Sequence, residues 1–369
     1  MKIALVHDYI NEFGGAERVL RVLADMYPEA PIYTAFCKKN SVAYENFKDR
    51  EIKESFLAPI LKIWKLYSPL RFLSPLIWGS MDLSDYDVVI TSSSWYITRG
   101  FKTGDKTKVI CYCHTPPRYL YGYQTSINWQ KYAVVRLYAS IVNHFLRIFD
   151  WESAQEIDEW IVNSKNVEKR VKKFYRQDSQ VIYPPVEVNR FIAAAEEAEK
   201  ENYFLIVSRL VGGKGLEEAV EAAVELGFNL KIVGDQAGFS KVVETIKDLA
   251  GEKVELLGRV DDEELVDLYT GAKGFIALAK EEDFGITPVE SMAAGTPVIA
   301  YKGGGFKETV VDGVTGVFVT DTSVESLKMA VRKINDKDWD KEALQKQARK
   351  FGKERFEKRI REEVSRVVS

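Results

Sequence analysis

Tyr203-Phe204-Leu205-Ile206-Val207-Ser208-Arg209-Leu210-Val211-Gly212-Gly213-Lys214-Gly215 is an apolar run of strand length that ends in a polar, glycine-rich turn. Behind it, residues 215–226 carry apolar side chains at helical spacing. Strand, glycine turn and helix together open a βαβ unit, whose parallel sheet is covered by helices on both faces. Toward the carboxyl end the unit recurs, with strands expected at 203–207, 230–233, 254–257, 274–279 and 297–300 and helices near 239–250, 261–270 and 288–294. Toward the amino end the same alternation predicts strands at 2–6, 87–91, 108–112, 159–162 and 180–183. There, Val19, Leu20, Leu23 and Tyr27 fall at helical spacing after Gly14-Gly15, and a longer helix is expected over 130–149.

Between the two series stands Pro184-Pro185, which interrupts regular structure. A chain of 369 residues also exceeds the roughly 250–300 at which a single core stops growing. The expected fold is therefore α/β with two Rossmann-like domains, 1–186 and 187–345, their parallel sheets facing across a cleft. A charged helical segment, 346–369, follows, and its packing is not given by the pattern.

Composition is that of a globular protein, with 46% hydrophobic and 29% charged residues, which excludes a disordered or low-complexity chain. Three cysteines without a CxxC pair exclude a disulfide framework and point to a reducing, cytoplasmic setting. Residues 1–6 run straight into a strand pattern, so no leader is expected ahead of the fold, and no apolar run is long enough to span a membrane. The net charge of -3 excludes a uniformly basic, nucleic-acid-binding surface. It hides an asymmetry, because residues 1–190 hold 26 Lys+Arg against 21 Asp+Glu and the rest hold 26 against 34. Residues 55–81 and 106–149 contain no acid at all.

Candidate chemistry lies at strand ends. Arg209 and Lys214 flank the glycines of the turn quoted above, where backbone N–H groups and a helix N-terminus can meet a phosphate. Glu282 and Glu290 follow the 274–279 strand, eight residues apart, one in a loop and one on a helix that begins around Pro288. His114, one of three histidines with His7 and His144, follows the 108–112 strand. Leu57, Ile60, Leu61 and Trp64 form a stripe at i, i+3, i+4 and i+7 with Lys62 and Lys65 beside it. Such a cationic amphipathic segment suits an anionic leaflet, so peripheral membrane contact through residues 55–78 is expected.

With these motifs in order, the sequence resembles the retaining glycosyltransferases of family 4, which have the GT-B fold. Glu282 and Glu290 match the family's E-x7-E signature. Gly14-Gly15-Ala16-Glu17 is similar to its N-terminal glycine loop, and Arg209 with Lys214 to its phosphate-binding pair. Leu257-Gly258-Arg259-Val260 resembles the segment that holds the nucleobase, and Gly303-Gly304-Gly305, Glu308 and Asp312-Gly313 fit the C-terminal pattern. Val233-Gly234-Asp235-Gln236 departs from it at the last position, where many members carry glycine. Cys113-His114-Thr115-Pro116-Pro117-Arg118, with Glu281-Glu282-Asp283-Phe284-Gly285, is most similar to the O-antigen-type mannosyltransferase branch.

The resemblance implies transfer of a hexose, mannose from GDP-mannose, onto a glycan or polyprenyl-diphosphate-linked acceptor at the inner face of the cell membrane. It implies catalytic roles for Glu282, His114, Arg209 and Lys214. Donor contacts are implied for Gly14, Gly15, Arg259, Val260, Asp283, Phe284, Gly285, Ile286, Thr287 and Glu290. No cofactor or metal is implied beyond the nucleotide sugar, and front-face attack is expected. A UDP-sugar donor and a non-catalytic nucleotide-sugar-binding protein remain as alternatives. A dinucleotide-dependent oxidoreductase does not, because G-x-G-x-x-G is missing after the first strand.

Overall fold

The computed structural model describes residues 1–63, 66–123, 125, 132–235 and 242–369. The chain divides into two compact units, one made of residues 1–123, 132–185 and 354–369 and the other of Val186–Lys353.

The first unit is built on a parallel sheet of seven strands. They are β1 (Ile3–His7), β2 (Ile32–Thr34), β3 (Ile52–Glu54), β4 (Val88–Ser93), β5 (Lys108–Cys113), β6 (Glu159–Val162) and β7 (Gln180–Val181). Their order is β3-β2-β1-β4-β5-β6-β7. From β1 the chain builds outward on one side, then returns to β1's other edge as β4. The β1/β4 boundary is therefore a topological switch point, where α/β sheets bind ligands beyond the strands' carboxyl ends. Register sets His7 opposite Ser92 and Ser93 opposite Cys113, so the polar ends of three central strands meet there.

Alternate residues of β1 feed opposite faces. Ile3 and Leu5 pack with Leu20, Leu23 and Ile110, while Ala4 and Val6 pack with Leu61, Trp78 and Val89. That alternation on fully buried strands is what a doubly covered parallel sheet requires. The first face is completed by Phe356, Ile360 and Val364 from the helix Lys353–Val368. Phe356 meets Tyr112 edge-on at 5.8 Å, and Arg366 pairs with Glu159 at 2.6 Å.

The second unit has six parallel strands, ordered β10-β9-β8-β11-β12-β13. These are β8 (Phe204–Val207), β9 (Leu230–Val233), β10 (Val254–Gly258), β11 (Gly274–Ala277), β12 (Val298–Tyr301) and β13 (Gly316–Val319). Its switch point is β8/β11. Helices Leu216–Leu226 and Val324–Asn335 close one face over Ile206, Ile232, Ile276 and Ile299.

Expectation and structure differ at edges and in one segment. β2, β3 and β13, three or four residues long, are additions to the expected strands, and β3 and β13 stand at sheet edges. The 57–64 stripe does not form one exposed helical face. The helix there is only Ala58–Leu61, Leu61 is fully buried in the unit's own core with Leu57 packed against it, and of the described stripe residues Ile60 projects. Lys62 pairs with Glu54 at 2.6 Å, while Trp64 and Lys65 lie outside the described residues, as do Lys131 and Gln236.

Candidate functional site

In the second unit the loops after β8 and β11 meet at the switch point. Leu210 N–H donates to Asp235 C=O at 2.9 Å, which ties the first loop to the end of β9. Gly213 and Gly215 both have positive φ (80° and 71°), letting the chain turn tightly into the helix Leu216–Leu226. At Gly215 a Cβ would lie 2.4 Å from that of Leu278, so this turn also needs glycine for close packing.

The turn delivers Lys214, whose Nζ donates to Glu282 Oε2 at 2.7 Å. Both side chains are about a quarter exposed (26% and 24%), so the ion pair links the two loops in a half-buried position. Glu282 is held from behind. Its carbonyl accepts from Gly305 N–H at 2.9 Å, and the Gly303-Gly304-Gly305 turn passes so close that a Cβ on Gly304 would lie 2.2 Å from Glu282 O. Phe284 is buried against Phe351, with ring centroids 5.4 Å apart.

Gly285, at φ 94°, then starts the helix Ile286–Ala293, so Asp283, Phe284, Gly285, Ile286 and Thr287 occupy the approach to a helix N-terminus, which favours anions. The helix begins two residues before Pro288, which sits in its first turn. Glu290 lies on its second turn, 3% exposed, and accepts from Tyr269 Oη at 2.9 Å. The two carboxylates thus differ in setting: Glu282 is half-open and ion-paired, Glu290 enclosed and hydrogen-bonded.

Arg209 is exposed at the start of the β8 loop. Arg259, exposed, and Val260, half-buried, follow β10, between Gly258 at φ 69° and Asp261. Asp261 caps the helix Asp262–Gly271 by accepting from Glu263 and Glu264 N–H. A surface depression of about 460 Å³ lies on the helix side of the β8 loop. It is lined by Gly213, Gly215, Leu278 and Lys280 but also by Glu217, Glu218 and Glu221, which oppose an anionic ligand there.

Gly14, Gly15 and His114 belong to the first unit, and there the switch point carries a buried hydrogen-bonded chain. Gly14 N–H donates to Glu17 Oε2 at 2.9 Å, and Glu17 Oε1 lies 3.4 Å from His7 Nε2. His7 Nδ1 lies 3.0 Å from Ser92 Oγ, which lies 2.8 Å from His114 Nε2. Asn163 Nδ2 donates to the His114 carbonyl at 2.9 Å. Next to the chain, Asp8 accepts from Ser94 Oγ and Trp95 N–H, each at 2.6 Å.

This chain sets protons in order. A carboxylate only accepts, so His7 Nε2 carries hydrogen toward Glu17. With His7 neutral, its Nδ1 accepts from Ser92, Ser92 accepts from His114 Nε2–H, and His114 Nδ1 is an acceptor. His114 itself stays neutral, because burial and then the neighbouring His7 push its pKa down to about 3. Glu17 stands in the quoted Gly14-Gly15-Ala16-Glu17 loop, whereas its partners His7 and Ser92 are missed by motif reading. Their signal in the sequence is faint, a polar residue at the carboxyl end of each of two apolar strands.

Asp-x-Asp spacings do occur in the chain, at Asp85-Tyr86-Asp87 and Asp336-Lys337-Asp338-Trp339-Asp340. Asp87 accepts from Lys2 N–H and Asp340 caps the helix Lys341–Ala348. Among the described residues no three His, Cys, Asp or Glu come together as metal ligands would.

Residues 13–190 match the family model described as Glycosyltransferase Family 4, and residues 188–351 match Glycosyl transferases group 1. Among curated proteins, alpha-1,3/1,6-mannosyltransferase ALG2 of Dictyostelium discoideum is 26% identical over 292 residues, 68% of this chain and 67% of that one. The O-antigen chain mannosyltransferase RfbU of Salmonella typhimurium is 31% identical over 178 residues, 46% of this chain and 49% of that one. The chain spans between about a third and about four fifths of the length of the curated relatives it matches. Anabaena Alr3699/HepE, solved in complex with UDP and glucose, superposes with a TM-score of 0.69 at 19% identity, covering 99% of each chain, a likeness of fold.

Proposed function

The chain belongs to the glycosyltransferases, Glycosyltransferase Family 4 over residues 13–190 and group 1 over 188–351, and from that premise we propose that it transfers mannose from GDP-mannose, with retention, onto a lipid-linked glycan. The observation that carries the reading is the Lys214–Glu282 link across the β8/β11 switch point, with buried Glu290 on the second turn of the adjoining helix. Arg209 and Lys214 supply positive charge where a leaving diphosphate develops negative charge. In that role Lys214 exchanges part of its contact with Glu282 for a phosphate oxygen. Glu282 then addresses the sugar, Glu290 the ribose and Arg259-Val260 the base; for the first unit the family resemblance assigns a sugar contact to His114 and a diphosphate contact to Gly14-Gly15. The bond from the sugar C1 to the phosphate oxygen breaks as the acceptor oxygen attacks the same face, and the released phosphate oxygen takes the acceptor proton.

Mannosyltransferases among the relatives support the donor sugar. The second reading, a UDP-sugar donor, is supported by the UDP held by the structurally similar Anabaena protein. We place the protein in the cytoplasm, peripheral to the inner membrane face and needing no metal. A thermal-shift panel of GDP-, UDP- and ADP-sugars decides the donor. Saturation near 100 times Kd raises stability by about 2.7 kcal/mol, and GDP-mannose alone should do so. Selective stabilisation by a UDP-sugar overturns the first reading in favour of the second. Glu282→Ala should retain the shift and lose transfer; a glycosyl adduct trapped on Glu282 would overturn front-face attack.

A further inference from the structure

We propose that the outward face of the helix Ala133–Ala154 in the first unit is an interfacial surface that lies on an anionic lipid bilayer. The proposal rests on the reading of a lipid-linked acceptor and says which surface of this chain approaches it.

A surface helix ordinarily turns its apolar stripe inward and polar residues outward. This one turns polar as well as apolar residues inward and apolar residues outward. Its inner face is fixed by Ala139, Asn143, Leu146, Asp150 and Ser153, all buried. Asp150 forms a buried ion pair with Arg99 and accepts from Tyr121 Oη and Tyr175 Oη; Asn143 Nδ2 donates to Tyr119 C=O at 3.1 Å. These polar contacts fix the helix about its axis, because rotation would break a buried charge pair.

The opposite side then has no choice but to face outward. Val134, Leu137, Ile141, Phe145 and Ile148 recur at spacings of three and four and are 80%, 64%, 55%, 66% and 44% exposed. At 1.5 Å rise per residue they form an apolar stripe about 20 Å long. A patch of that size on a soluble protein marks an interaction surface.

Charge identifies the occupant. Residues 133–149 of the helix fall in the acid-free window 106–149, with Arg136 and Arg147 exposed on its flank; its two acids follow the window, Asp150 buried and Glu152 exposed one turn beyond Ile148. The second acid-free window adjoins it: Tyr138 Oη donates to Pro69 C=O, and Arg71 bonds Asn143 Oδ1 at 3.3 Å and lies over the Tyr138 ring. From this neighbouring segment Phe72 (44%) and Leu76 (52%) add exposed apolar side chains. From Val134 to Ile148 the stripe holds no acid, and with exposed arginines on the same helix and Arg71 beside it, it complements anionic headgroups over acyl chains. Among the described residues no helix is long and apolar enough to cross a membrane, consistent with a helix lying in the interface.

The test is co-sedimentation of the full chain with phosphatidylglycerol and with phosphatidylcholine vesicles, for wild type and for Ile141→Glu with Phe145→Glu. Both positions are exposed, so the variant should melt like wild type and keep its thermal shift with nucleotide sugar. Wild type should bind phosphatidylglycerol, lose binding at high salt, and bind phosphatidylcholine weakly; the variant should partition about tenfold less or worse. Binding unchanged in the variant overturns the proposal. So does a vesicle-independent dimer abolished by the same substitutions, which would make a second copy the occupant. If vesicle binding behaves as expected but no nucleotide sugar shifts the melt, the surface stands and the transferase reading falls.

Discussion

Ser92 is the hinge of the hydrogen-bonded chain beneath the first unit's switch point, since both histidines address one hydroxyl. Ser92→Ala leaves two buried ring nitrogens without that partner, at a cost of about 1–3 kcal/mol. It should also lower kcat by about tenfold, the scale of an orienting contact, while KM for the donor changes little. Imidazole nitrogen-15 shifts would show whether His114 then loses its single tautomer; an unchanged spectrum with unchanged kcat counts against the ordering. The neutral state of His114 has a stability consequence with a definite sign. An unfolded histidine gains its proton near pH 6.5, whereas the buried one resists until about 3. Protons then favour the unfolded chain, so this contribution is present above pH 6.5 and is lost progressively as pH falls toward 3. Asp8 acts in the opposite direction, because burial pushes its carboxyl up. His114→Asn should flatten the acid limb of a Tm-against-pH curve; an identical limb refutes the assignment.

At the scale of elements, the loops of the second unit depend on glycines for clearance as much as for turning. Gly304 combines φ 50° with a Cβ position 2.2 Å from the Glu282 carbonyl. Gly304→Ala should cost about 1–3 kcal/mol and displace Glu282, so that urea midpoint and transfer activity fall together. Here the limits of sequence reading become physical. Arg209, Lys214, Glu282 and Glu290 were legible because strand, turn and helix periods place them at strand ends without any tertiary knowledge. The His7–Ser92–His114 chain was not, because it is made by register between β1 and β4, whose residues are 85 apart in sequence. The 57–64 stripe misled for the converse reason. Spacing alone does not tell which side of a short helix is buried, and there Leu61 went into the core. The helix Ala133–Ala154 was anticipated from its pattern, but its outward apolar face emerged only once Arg99 was seen to hold Asp150 inside.

The whole molecule is organised by the chain's return to the first unit. Helix Lys353–Val368 follows the last strand of the second unit yet contributes Phe356, Ile360 and Val364 to the core under β1, β4 and β5. Phe356→Ala should cost about 3–5 kcal/mol, as buried aromatic truncations do. The loss should appear as earlier melting of the first unit, while hydrogen exchange in β8–β13 stays slow; uniform loosening of both units would contradict the assignment. The same crossing bears on synthesis. Residues 354–369 leave the ribosome after every residue of Val186–Lys353, so the nascent first sheet waits with Tyr112 and Ile182 unroofed while the second has all of its own chain to close upon. The unit that is begun first is the one completed last.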